Sequence, residues 1–81
     1  MADTRKISEI AREIEDIWSR QGKGVNYAAK PYLDAMMFLD TPQSRYYLDD
    51  GADIVRRFLG NASSFKGEDA RRLKAELKAL L

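Results

Sequence analysis

The sequence contains no cysteine and no histidine. Without cysteine the chain has no disulfides, no thiolate metal site and no thiol nucleophile. A small domain without disulfides is typical of a reducing environment, which favours a cytoplasmic location. Without histidine it lacks the commonest general base and the commonest metal ligand. We therefore predict a non-enzymatic protein with no catalytic residues, no cofactor and no bound metal.

Long apolar runs and a strong excess of one charge are also missing. No run of about 18 apolar residues occurs, and the polar start Met1-Ala-Asp-Thr-Arg-Lys does not resemble a signal peptide. No membrane partner is therefore expected. The formal net charge is only +1, so the chain as a whole is not attracted to nucleic acid. Any electrostatic binding has to come from a local patch.

The residues that are present suit one folded domain over 1–81. The hydrophobic share is 44% and the charged share 33%, as in soluble domains whose surface is coated with charge. A chain of 81 residues has room for a single core. A core of this size usually contributes only about 3–5 kcal/mol to stability. The sequence is therefore compatible with a homodimer as well as with a monomer.

The densest apolar block, Pro31–Asp40, is apolar around most of a helix circumference. Such a helix is usually buried, so the block predicts a central helix near residues 28–40 that starts close to Tyr27. Its one internal charge, Asp34, is expected to face solvent and to pair with Lys30 four residues earlier.

Apolar residues at helical spacing predict further helices on either side of this block. The first carries an isoleucine stripe to about Gln21 with Asp3 or Thr4 as its cap, the next begins at Asp49 or Asp50, and the last starts near Gly67. Residues 43–50 show no periodic spacing of apolar residues. The run 46–48 predicts one short strand at most, and no second strand is predicted with which it could pair. The expected fold is all-α, a compact bundle of three to four short helices.

Asp49, Asp50 and Asp53 surround Gly51 in a way that faintly resembles a calcium-binding loop. The alternating ligands and the terminal glutamate of such a loop are missing. Acidic residues at the start of a helix explain the cluster better, because they favour the positive end of the helix dipole.

Basic residues outnumber acidic ones by seven to three between Ile54 and Leu81. If the last two helices pack antiparallel, Arg56, Arg57, Arg71 and Arg72 form one patch. This patch predicts a surface that docks another protein. The alternative is a small DNA- or RNA-binding protein that uses the last two helices, although intermixed glutamates favour a solvated, salt-bridged face.

Aromatic residues are the other candidates for binding, because tyrosine is frequent at interface hot spots. A chain this short is not expected to bury all of them, and Tyr27, Tyr46 and Tyr47 are the candidates for exposure. The predicted protein-binding surface consists of two tyrosines and four arginines: Tyr46, Tyr47, Arg56, Arg57, Arg71 and Arg72.

A resemblance runs through four segments of the chain, which are Ile7…Ile10-Ala11…Ile14…Trp18, Tyr27-Ala-Ala-Lys-Pro-Tyr-Leu-Asp-Ala-Met36, Ile54-Val55…Phe58-Leu59…Asn61-Ala62-Ser63 and Gly67…Ala70-Arg71-Arg72…Lys74-Ala75-Glu76-Leu77. Together they resemble a family of short, mostly uncharacterised proteins of phages, mobile elements and gut bacteria. The resemblance implies an accessory protein that binds a larger protein and blocks or redirects it, for example a component of CRISPR–Cas or another host defence. It implies no catalytic or binding residues.

Overall fold

The computed structural model describes residues 4–81, which form a mostly helical fold with one small sheet. Its elements are α1 (Ile7–Trp18), α2 (Lys30–Met36), β1 (Arg45–Tyr46), β2 (Asp49–Asp50), α3 (Gly51–Gly60) and α4 (Glu68–Leu80). Among these elements, α4 packs against α1, α1 against α2, and α2 against α3. Both α1 and α2 therefore contact two other helices, and α2 shares the middle of the fold with α1.

The sheet corrects the all-α prediction. β1 and β2 pair antiparallel, with Arg45 opposite Asp50 and Tyr46 opposite Asp49. The expectation of one strand without a partner was wrong because the chain folds back on itself through the two residues Tyr47 and Leu48. The strongest sequence signal for a hairpin turn is Asn-Gly or Asp-Gly, and neither dipeptide occupies the turn positions. The Asp50-Gly51 pair lies after the turn, where β2 ends and α3 begins.

α1 begins without a side-chain cap. Lys6 occupies the N-cap position instead of Thr4, and its N–H donates to the Glu9 carboxylate at 2.8 Å. The next two amides, of Ile7 and Ser8, donate to the backbone carbonyls of residues 40 and 39 at 3.0 and 2.9 Å. The chain that follows α2 thus accepts hydrogen bonds from backbone N–H groups that have no partner within α1, as at every helix start. The alternative cap, Asp3, lies outside the described residues.

α2 is shorter than the predicted span of 28–40. The chain after Met36 continues in tighter turns, in which the amide of Phe38 donates to the carbonyl of Ala35 at 3.1 Å. This change of path turns Phe38 outward. Asp34 is exposed and accepts a hydrogen bond from the Lys30 ammonium at 2.9 Å, as predicted.

The core is built on an aromatic cluster in which the Trp18 ring stacks on Phe65 at 5.1 Å and meets Phe58 edge-on at 6.1 Å. All three side chains are at most 1% exposed. Aromatic pairs of this geometry add about 0.5–1.5 kcal/mol beyond the burial of their area. No polar side chain is buried in the described part of the chain.

Candidate protein-binding surface

Four apolar side chains meet at the end of the hairpin, and we call them the aromatic tip: Phe38, Tyr46, Tyr47 and Leu48. Phe38 is 73% exposed, Tyr47 85% and Leu48 93%, while Tyr46 is half-buried between its neighbours. The Tyr46 ring lies 5.9 Å from the Phe38 ring and 4.7 Å from the Tyr47 ring, edge to face. The three rings therefore contact one another in a row, and Leu48 follows Tyr47 in the turn.

The backbone at the tip is strained. Tyr47 has a φ of 58°, and it is the one residue other than glycine with a positive φ in residues 4–81. A bulky side chain rarely adopts this left-handed region, and the conformation costs about 1–3 kcal/mol. The favoured two-residue hairpin turns nevertheless have a positive φ at their first position, because such turns match the twist of the strands. The tip thus keeps an aromatic side chain where glycine is preferred.

Backbone hydrogen bonds fix the base of the hairpin to α3. The amide of Gly51 donates to the Ser44 carbonyl at 2.7 Å, and the amide of Ala52 donates to the Pro42 carbonyl at 3.0 Å. Gly51 is buried, and a Cβ placed there would lie 2.9 Å from the carbonyl oxygens of Ser44 and Thr41. Only glycine fits this close approach without displacement. The base of the hairpin is therefore packed closely against the start of α3 and hydrogen-bonded to it.

Two of the three aspartates beside the hairpin form ion pairs with arginines. Asp50 lies 3.4 Å from the Arg45 guanidinium, and Asp53 lies 3.0 Å from that of Arg56. Asp50 is the N-cap residue of α3, as predicted, although its side chain makes no capping hydrogen bond. Within residues 4–81, no group of three acidic side chains is arranged to hold a metal ion.

The structure separates the six residues of the predicted binding surface into two groups. Tyr46 and Tyr47 belong to the aromatic tip, and Arg56 and Arg57 are exposed on α3, which follows β2 without a break. The other two arginines, at positions 71 and 72, lie on α4, which packs on α1. A direct packing of α3 on α4, which a single arginine patch needs, is not among the main helix contacts.

Arg72 belongs to a chain of ion pairs that we call the ion-pair seam: Arg5, Glu13, Asp69, Arg72 and Glu76. The Arg5 guanidinium contacts Glu76 through two nitrogens, at 2.6 and 2.8 Å, and Glu13 at 2.8 Å. Arg72 in turn contacts Glu13 at 2.6 Å and Asp69 at 3.2 Å. The seam ties α1, α4 and the segment before α1 together.

These contacts lower the pKa of two carboxylates of the seam. Hydrogen bonds from Arg72 and then from Arg5 lower the pKa of Glu13 below its ordinary value. The hydrogen bonds from Arg5 likewise lower the pKa of Glu76. Because all these charges have partners within the fold, the seam is part of the architecture. Sequence patterns did not indicate it, since 71 positions separate Arg5 from Glu76.

Two of the three tyrosines predicted to be exposed are so: Tyr27 at 89% and Tyr47 at 85%. Tyr27 stands apart from the tip, at an open groove of about 690 Å³ that Trp18, Lys23 and Val25 also line. Among the groove-lining residues, Lys23 alone carries a charge.

A comparison with protein families, with curated proteins and with solved structures finds no match for this chain. Within the described residues, none of the helices combines the length and the apolar character needed to cross a lipid bilayer.

Proposed function

We propose that this chain is a non-enzymatic protein–protein interaction module whose aromatic tip docks onto a larger protein. One observation carries the proposal: the aromatic tip joins three rings in contact to the leucine of the turn, and three of its four side chains are at least 73% exposed. An isolated exposed leucine is ordinary, but a continuous exposed patch marks an interaction site.

The strain at Tyr47 supports the same proposal. A residue held against its backbone preference at a surface is more readily explained by binding than by folding, because glycine at that position would relieve the strain. Tyrosine also loses little conformational entropy on binding and combines an apolar ring with a polar hydroxyl. We expect Tyr47 and Leu48 to be the main anchors, with Arg56 and Arg57 as a charged rim that contributes less.

The resemblance to short proteins of phages and mobile elements suggests the kind of partner. We propose a larger protein whose activity is blocked or redirected by the docked chain, such as a CRISPR–Cas component or another host defence protein. This choice of partner rests on the resemblance alone.

The test compares three forms of the immobilised protein in an extract of the organism that encodes it: wild type, Leu48→Ser and Tyr27→Ser. Leu48→Ser removes the most exposed apolar group of the tip and leaves the strained residue in place. Tyr27→Ser is the matched control, because it removes an equally exposed apolar group elsewhere. We expect wild type and the Tyr27 variant to retain a common protein, identified by mass spectrometry, that Leu48→Ser loses.

Retention of the same proteins by all three forms would contradict the proposal. Light scattering of the purified chain distinguishes the remaining alternative, a homodimer through the tip. If the wild-type chain is a dimer and Leu48→Ser makes it a monomer, the partner of the tip is a second copy of this chain and not a larger protein.

A further inference from the structure

The two flanks of α4 carry different charges. One flank holds Asp69, Arg72 and Glu76, which take part in the ion-pair seam. The other holds Arg71, Lys74 and Lys78, at positions i, i+3 and i+7, which share one face of a helix. Lys66, just before the helix, adds a fourth cation. We call Lys66, Arg71, Lys74 and Lys78 the basic flank.

The basic flank lacks the acidic partners of the opposite side. No acidic side chain in the described part of the chain lies within ion-pairing distance of its four cations. Burial and the neighbouring charges of Lys78 and Lys66 lower the pKa of Lys74. Asp69 and Glu76 lie on the opposite flank, and Glu68 stands three positions before Arg71 at one end of the basic flank.

Two members of the basic flank are held in place by contacts from the fold. The Lys74 ammonium donates to the Phe65 carbonyl at 2.7 Å and lies 5.7 Å from the centre of the Phe65 ring. The Gln21 side-chain amide donates to the Lys66 carbonyl at 2.9 Å, which attaches that segment to the end of α1. An ammonium has three donors, so Lys74 keeps two for an external acceptor. The Lys74 charge is therefore held in position without being neutralised, and the backbone that carries Lys66 is anchored beside it.

We propose that the basic flank binds the phosphate backbone of a nucleic acid, independently of base sequence and of the aromatic tip. The positive charge of the flank favours an anionic ligand. The residue types in the flank indicate which kind of anion it binds, an acidic protein or a nucleic acid. Protein interfaces rely on buried aromatic anchors and are poor in lysine, whereas the flank offers three lysines and no exposed aromatic side chain. Phosphate contacts need only such positive groups.

The test measures fluorescence anisotropy of a labelled mixed-sequence DNA duplex with wild type, with Arg71→Gln combined with Lys78→Gln, and with Lys6→Gln combined with Arg12→Gln. The last pair is the control, because it removes the same charge from exposed positions outside the flank. Wild type should bind, and log K should fall with log salt at a slope of about −3 to −4 for roughly four phosphates. The flank variant should bind at least about tenfold more weakly, with a slope shallower by about 2. The control should keep the slope of wild type.

Absence of binding at about 50 mM salt, or equal losses in both variants, would overturn the proposal. Displacement of the duplex by polyglutamate at equal charge concentration would also overturn it, because the flank would then serve an acidic protein. Circular dichroism verifies the fold of each variant, and Lys66→Gln with Lys78→Gln replaces the flank pair if Arg71→Gln disturbs α4.

Discussion

The ion-pair seam and the aromatic tip differ in whether the fold itself uses their functional groups. In the seam, Arg5 and Arg72 contact three carboxylates from the same chain at 2.6–3.2 Å. At the tip, Tyr47 and Leu48 are at least 85% exposed and the backbone of Tyr47 is strained. The ion pairs of the seam stabilise the monomer. The tip lowers the stability of the monomer through the strained backbone of Tyr47, and its side chains are not buried in the monomer.

Under the proposed function, this difference separates the residues that stabilise the fold from those that bind a partner better than residue type does. Arginine and tyrosine are both frequent in binding sites, yet Arg72 is engaged by Glu13 and Asp69 while Tyr47 projects into solvent. Substitutions in the supporting structure should therefore change stability, and substitutions at the tip should change binding.

The largest expected effect is at the base of the hairpin, where Gly51→Ala would break the support of the tip. Its Cβ would lie 2.9 Å from two backbone carbonyl oxygens that cannot rotate away. We expect a loss of about 3 kcal/mol in the free energy of unfolding, measured by chemical denaturation. Gly60→Ala is the matched control in the same helix, because nothing lies within 4 Å of its added Cβ. That control should be neutral or stabilising by up to about 1 kcal/mol.

Next in size is Arg5→Ala, which removes the centre of the ion-pair seam. The side chains of Arg5, Glu13 and Glu76 are still 30–34% exposed, so solvent screening limits the effect. We expect a loss of about 1 kcal/mol in unfolding free energy and no loss of partner capture. Arg57→Ala, on an exposed position of α3, should cost less than about 0.5 kcal/mol. Equal costs at both positions would mean that the seam adds nothing beyond an ordinary surface charge.

The seam should also make stability sensitive to acid. The folded-state pKa values of Glu13 and Glu76 are lowered, so their contribution is complete at neutral pH. It declines once the pH falls below the unfolded value of about 4.3 and disappears below the lowered folded values. The difference in stability between wild type and Glu76→Gln should therefore close as the pH falls.

Denaturation curves at several pH values measure this difference. Glu68→Gln, an exposed carboxylate in the first turn of the same helix and outside the seam, is the control; its gap from wild type should be smaller, because Glu68 has no arginine partner and loses only a helix-dipole interaction. A gap between wild type and Glu76→Gln that persists unchanged into acid would contradict the assigned role of the seam.

The helices could be read from the sequence because apolar spacing is local. α3 begins at Gly51 with Asp50 as its N-cap, and α4 begins just after Gly67, both as predicted. The hairpin escaped detection because two-residue strands carry no period and its turn is Tyr47-Leu48.

Half of the aromatic tip was missed for a related physical reason. The predicted helix ran to Asp40, whereas α2 ends at Met36 and Phe38 lies in the tighter turns that follow, where it is 73% exposed. Leu48 escaped because its exposure follows from the hairpin itself. Contacts between residues distant in sequence, as in the seam, leave no pattern in a single chain.

The central claim is that the aromatic tip serves binding at the expense of stability, and Tyr47→Gly tests it most directly. Glycine accepts a φ of 58° without strain, although its greater freedom in the unfolded chain offsets part of the gain. We expect unfolding free energy to hold or to rise by up to about 1 kcal/mol while the captured partner is lost. A variant of unchanged or higher stability that still retains the partner of wild type would contradict the claim.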